Sequence, residues 1–194
     1  MALTQEVLFV NVDYLKHVTN LNGSVEDSYV VPAIVLAQDK HIQAFLGTDL
    51  FAKLKADITG TGLTGVYETL MDTYVRKATA WWTMVELIPS LYVKLDNGGL
   101  VIRASSNTTP ITLDDLHGEI ERARQNAQFY TERLASYLSK NSATYPEYSS
   151  NQYPDMHPYR VTYNQNGFTV SRGVDETDYK NLYRNVLDCY DCGR

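Results

Sequence analysis

"IVLAQDKHIQAFLG", residues 34–47, reads as one helix closed by a glycine. Ile34, Val35, Ile42, Phe45 and Leu46 fall on a single face at helical spacing, and Gly47 stands where a helix commonly ends. Gln38 and His41 sit in the middle of that same apolar face. An amide and an imidazole in such a place fit an active site or a surface that meets another copy of the chain. Burying them unpaired costs free energy, so a pair of this kind is more often hydrogen-bonded within a core or at a subunit contact. Gln38 and His41 are therefore expected to form a subunit-interface or core polar pair.

Upstream of this helix, residues 1–23 hold the apolar run "VLFVNV" and then a polar loop, and read as an N-terminal arm. Ser24 and Asp27 resemble a capping box, so the first helix is expected to start near Val25 or a turn later. Pro32 fits best in its first turn, where a missing N–H costs little. Downstream, Thr48 is placed to cap a short second helix carrying Leu50, Phe51, Leu54 and Ile58.

"TGTGLTG" then interrupts the chain, and Thr64 or Gly65 opens a long third helix. Its apolar stripe includes Tyr67, Met71, Tyr74, Val75, Ala78, Trp81, Trp82, Val85 and Ile88, with Pro89 expected to kink the last turns. "LDNGGLVI" is a turn leading into a short extended run. Thr112 with Asp115 repeats the cap signal before a fourth helix from about Leu113 to Lys140. Along it Leu116, Ile120, Ala123, Ala127, Tyr130, Leu134 and Tyr137 alternate at steps of four and three, a seam able to pack along the third helix. Tyr74, Trp81, Trp82, Ala123, Ala127 and Tyr130 are the expected core of that seam, the two small alanines letting the indoles approach.

After Asn141 the composition changes, and eight of the fifteen tyrosines lie between Tyr145 and Tyr190. "YRVTYNQNGFTVSR" alternates in period two around Asn166-Gly167, a hairpin signal, and residues 175–189 suit a last short helix. The expected organisation is an arm (1–23), a helical domain (24–148) and a tyrosine-rich extension (149–194) carrying the hairpin and short helix. The fold class is mainly α, an antiparallel bundle of about four helices. Tyr153, Tyr159, Tyr163, Phe168, Tyr179 and Tyr183 on a thin extension point to packing against another chain, because tyrosine supplies contact area and a hydrogen-bonding tip.

A net charge of -6 argues against broad binding to a phosphate backbone. No apolar run approaches the roughly 20 residues that cross a bilayer, and the first residues lack the pattern of a signal peptide, so use in a cytoplasm is expected. Cys189 and Cys192 have C-x-x-C spacing but no second pair to complete a zinc site, and are read as free thiols. There is no G-x-S-x-G, no H-E-x-x-H and no P-loop; "GTGLTG" lacks the lysine. No enzyme activity, metal or cofactor is expected.

Three blocks together resemble the head-to-tail connector (adaptor) proteins of tailed bacteriophages, most similar to the branch in crAss-like and related phages of Bacteroides. They are "VEDSYVVPAIVLAQDKHIQAFLGTDLFAKLK", "YETLMDTYVRKATAWWTMVELIPSLYVKLDNGGLVI" and "ARQNAQFYTERLASYLSKN" with the following "YPEY". They span about residues 25–148. The resemblance implies a virion protein made in the host cytoplasm, whose copies form a ring, usually dodecameric, beneath the portal. Such a ring extends the DNA channel and joins the capsid to the next neck ring or tail protein, with DNA passing unbound. It further implies that Gln38 and His41 lie in the core or in the wall between neighbours, and that the extension grips the portal, a neighbour or the next ring. An alternative from composition alone is a small helical module docking a peptide or DNA, weakened by the lack of a basic recognition helix. An enzyme centred on His41 would need acidic side chains converging on it in a deep pocket.

Overall fold

The computed structural model describes residues 6–96, 99–102, 111–149 and 155–159. These residues are mainly helical. A short helix, α1 (Val12–Val18), forms within the arm. The quoted stretch belongs to a continuous rod: α2 (Asp27–Ala37), a π-turn (Gln38–Ile42) and α3 (Gln43–Leu46). Gly47 ends it with φ 76° and ψ 161°, a region essentially restricted to glycine, and α4 (Thr48–Thr59) starts at once. The next rod is α5 (Val66–Leu70), a second π-turn (Met71–Val75) and α6 (Arg76–Tyr92). A two-stranded antiparallel ribbon, β1 (Val93–Asp96) with β2 (Gly99–Ile102), leads away from it. Then come α7 (Leu113–Lys140), a 3-10 turn (Ser142–Thr144) and α8 (Pro146–Ser149).

The start of α7 forms as its sequence predicts. The Thr112 hydroxyl accepts from the Asp115 N–H at 3.2 Å and donates to the Asp115 carboxylate at 2.7 Å. Asp114 and Asp115 in the first turn and Lys140 in the last complement the helix dipole. The start of α2 differs from expectation. Asn22 takes the Ser24 N–H onto its own side chain at 3.1 Å, so Ser24 belongs to the loop and Glu26 becomes the N-cap. Pro32 consequently lies inside α2 and not in its first turn. It sits on an exposed side beside exposed Ser28, whose carbonyl it cannot bond. The α6 helix runs through Pro89 to Tyr92, and the Val93 N–H closes onto the Pro89 carbonyl.

Thr48 is the first residue of α4 and not its cap, because its hydroxyl is engaged by the segment 155–159. The Met156 N–H donates to Thr48 Oγ1 at 3.1 Å, and the Thr48 N–H donates to the Met156 carbonyl at 3.1 Å. The Tyr159 N–H donates to the Ala44 carbonyl at 2.8 Å, and Gln43 and Thr48 both donate to Asp155 at 3.2 Å. A sharp corner between two helices leaves carbonyls at one end and N–H groups at the next without helical partners. Here residues 155–159 supply some of those partners, so the root of the extension is strapped to the bundle.

The core lies where α6 packs along α7 and against α2. Val30, Ile34, Ile42, Leu46, Leu50, Leu54, Met71, Val75, Leu87, Leu134 and Leu138 are buried there. Tyr145 and Tyr148 close one end and are also buried. The hairpin around Asn166-Gly167 and the helix at 175–189 lie outside the described residues.

Gly47→Ala should lower stability by about 1–3 kcal/mol, since alanine at this φ/ψ is strained. Urea unfolding followed by circular dichroism measures this; an unchanged midpoint would show that the corner relaxes freely.

Candidate functional site

The two polar residues of the opening helix face different partners. The π-turn, closed by the Gln43 N–H on the Gln38 carbonyl, adds one residue to the helical repeat. Gln38 is fully buried. Its Oε1 accepts from the Phe9 N–H at 2.6 Å and its Nε2 donates to the Val7 carbonyl at 3.0 Å. The amide thus pairs with the arm's backbone as a neighbouring strand would. Arg76 Nε donates to the Phe9 carbonyl at 3.2 Å, so side chains of two helices hold one arm residue through both of its backbone groups. The Phe9 ring meets Phe51 edge-on at 5.2 Å.

His41 lies flat on Trp82, with ring centroids 3.8 Å apart and planes 6° apart. Its Nε2 is 2.8 Å from Glu86 Oε1, the oxygen that also accepts from Lys40 Nζ at 2.9 Å. A carboxylate only accepts, so His41 carries its proton on Nε2. Burial lowers the His41 pKa from its ordinary 6.5, and Lys40 and Arg124 add to this against the pull of Glu86. Burial raises the Glu86 pKa, but hydrogen bonds from Lys40 and His41 outweigh it and leave the carboxyl below its usual value. The cluster is a neutral imidazole held by an ionised carboxylate. It contains one carboxylate and no hydroxyl or thiol, and among the described residues no group of three His, Cys, Asp or Glu side chains is arranged to hold a metal.

Trp82 is buried, and its indole N–H donates to Thr131 on α7 at 2.9 Å, while that hydroxyl donates to the Ala127 carbonyl at 2.7 Å. Ala123 and Ala127 are also buried. Trp81 is half-buried and lines a cavity of about 550 Å³ with Leu21, Met84, Ile88, Leu91 and Ala123. Tyr74 stacks on Tyr137 at 4.2 Å, and Tyr130 meets Phe129 edge-on at 5.3 Å. The Tyr145 hydroxyl bonds Tyr137 and the Val66 carbonyl, and Tyr67 donates to Glu147 at 2.8 Å. Burial and that carboxylate push the Tyr67 pKa up to about 12.

Of the residues expected to bind a partner, Tyr159 is exposed at the edge of Phe45, with ring centroids 6.2 Å apart. Tyr153, Tyr163, Phe168, Tyr179 and Tyr183 lie outside the described residues, as do Cys189 and Cys192. The residues that sequence reasoning missed are Glu86 and Arg76, which look like ordinary surface charges on the third helix. Their only signal is position: each sits one turn from a buried aromatic or aliphatic residue.

Residues 42–158 match a family of unknown function, DUF6712. The chain belongs to that family. No curated protein and no solved structure matches it. The DUF6712 region begins inside the first π-turn and ends within the 155–159 strap, so it contains Trp82, Glu86 and Thr131, whereas Gln38 and the arm it holds lie before it.

Two predictions follow from the cluster. Gln38→Leu strips partners from a buried N–H and a carbonyl and should cost about 2–3 kcal/mol. The Phe9 amide should then exchange hydrogen far faster than those of α6; an unchanged rate would remove the pinning role. For His41, a folded pKa below the unfolded one means that the unfolded chain binds the proton more readily. Its contribution is complete above about pH 6.5 and declines as pH falls through that value toward the folded pKa. The Glu86 contribution persists to lower pH and is lost only below the ordinary carboxylate range. Urea midpoints measured between about pH 7.5 and 5.5 should therefore fall with pH, and His41→Gln should flatten the trend. A slope unchanged in that variant would exclude His41 as its source.

Proposed function

We propose that this DUF6712 protein is a ring-forming structural component of a tailed-phage neck. It sits beneath the portal, extends the DNA channel and joins the capsid to the next ring or tail protein. The resemblance of residues 25–148 to connector proteins supports this reading. The observation that carries it is on α2. From Tyr29 to Ala37 the helix reads "YVVPAIVLA", in which the Tyr29 hydroxyl is the one polar side-chain group. A helix apolar all round belongs in an interior. Among the described residues, Val30, Ala33, Ile34 and Ala37 on one side of α2 are buried, while on the other Tyr29 is 37% and Leu36 48% exposed, with exposed Pro32 between them. An apolar outer stripe on a helix packed against the core fits a subunit whose remaining cover comes from other protein chains.

Negative-stain electron microscopy of the full chain, alone and mixed with the portal protein of the same virus, tests the reading. Rings of uniform diameter, free or seated on the portal, are the expected result. Leu36→Asp should abolish them while shifting stability by no more than about 0.5 kcal/mol, as for most surface substitutions. Single-copy particles in both preparations would overturn the proposal.

A further inference from the structure

We infer that neighbouring copies meet head to tail, the outer stripe of α2 on one copy lying against the outer face of α7 on the next. This rests on the ring reading above and specifies its contact. The α2 stripe is apolar in the middle and acidic at both ends. Tyr29, Pro32 and Leu36 share one side at helical spacing, exposed Glu26 precedes them, and exposed Asp39 follows. Lys40, next to Asp39, is turned to Glu86, and the half-exposed Asp39 carboxylate lies 3.6 Å from Lys55 Nζ, a long surface pair of little strength.

The α7 face has the opposite pattern. Phe129 is 56% exposed, Arg122 lies seven residues before it and Arg133 four after, all on one side of the helix. The Arg133 guanidinium lies 5.7 Å from the Tyr74 ring centre and 6.0 Å from that of Phe129, which holds it at the surface between two aromatic rings. Arg122 has a side chain 75% exposed and touches Glu119 only at 3.8 Å. Glu132 lies along the edge of the strip.

The dimensions agree. At 1.5 Å per residue, Glu26 to Asp39 spans about 20 Å and Arg122 to Arg133 about 17 Å. Charge selects the pairing. Two α2 stripes face to face would set acid against acid, and two α7 faces would set arginine against arginine. The crossed pairing brings the two acids toward the two arginines around an apolar centre. A contact between two different patches on identical chains propagates, and closes into a ring where the rotation allows.

The test uses the full chain with Cys189 and Cys192 replaced by serine, carrying Leu36→Cys and Phe129→Cys together, treated with a short bis-maleimide at high protein concentration. The expected product is a ladder of covalent dimer, trimer and larger species. Neither single-cysteine chain should yield one, since a two-fold contact would give dimers from one site alone. In chains without these cysteines, Arg133→Glu should abolish rings, and adding Glu26→Lys or Asp39→Lys should restore them. Rings that form normally with no ladder and no effect of Arg133→Glu would overturn this contact and leave the ring reading standing. Dimers from one cysteine would overturn the head-to-tail geometry. No assembly under any condition would overturn both.

Discussion

The bundle depends on one indole ring. Trp82 carries His41 of the first π-turn flat on its face and bonds Thr131 of α7 through its N–H. Three helical segments thereby meet on one rigid, buried side chain. Glu86, one turn further along α6, receives the proton-bearing nitrogen of the same imidazole. Stacking alone would let the ring slide over the indole, whereas the hydrogen bond fixes its position along α6. The register between the first helical rod and α6 is therefore set by directional contacts, and the aliphatic core fills around it.

That registration has a second consequence at the arm. With His41 held against α6, the π-turn carries Gln38 toward Val7 and Phe9. Among the described residues the arm pairs with no strand. Its backbone groups would be orphaned in an apolar interior without the amide of Gln38 and the guanidinium of Arg76. A side-chain amide has the same donor and acceptor pair as a peptide unit, which is why glutamine suits this position and a hydrophobic residue of equal size does not.

Much of the helical layout was legible because it rests on local chemistry. Apolar periodicity located α4, α6 and α7, Gly47 marked the corner, and the Thr112 hydroxyl capped α7 where its spacing with Asp115 said it would. What was not legible was non-local or competitive. Ser24 looked like a cap, but Asn22 took its N–H first. Thr48 looked like another, but a segment more than a hundred residues later took its hydroxyl. Neither π-turn has a sequence signature, since each is a response to packing on two sides. Gln38 and His41 were legible as anomalies, yet their partners stand 29 and 45 residues away, and nothing local names them.

The destination of those two residues changes where, in the proposed ring, specificity between copies would have to come from. Polar groups inside an apolar face looked suited to fixing the orientation of neighbouring subunits. Gln38 is fully buried and bonded within its own chain, and His41 is held between Trp82 and Glu86, so both find polar partners inside the chain. The interior polar contacts build the subunit. In the proposed ring, discrimination between subunits would fall to exposed side chains, with the apolar side of α2 supplying adhesion without direction. Charge at its two ends is what can reject a wrong partner or a wrong register, because like charges brought together in a partly dehydrated contact cost more than a poor hydrophobic fit.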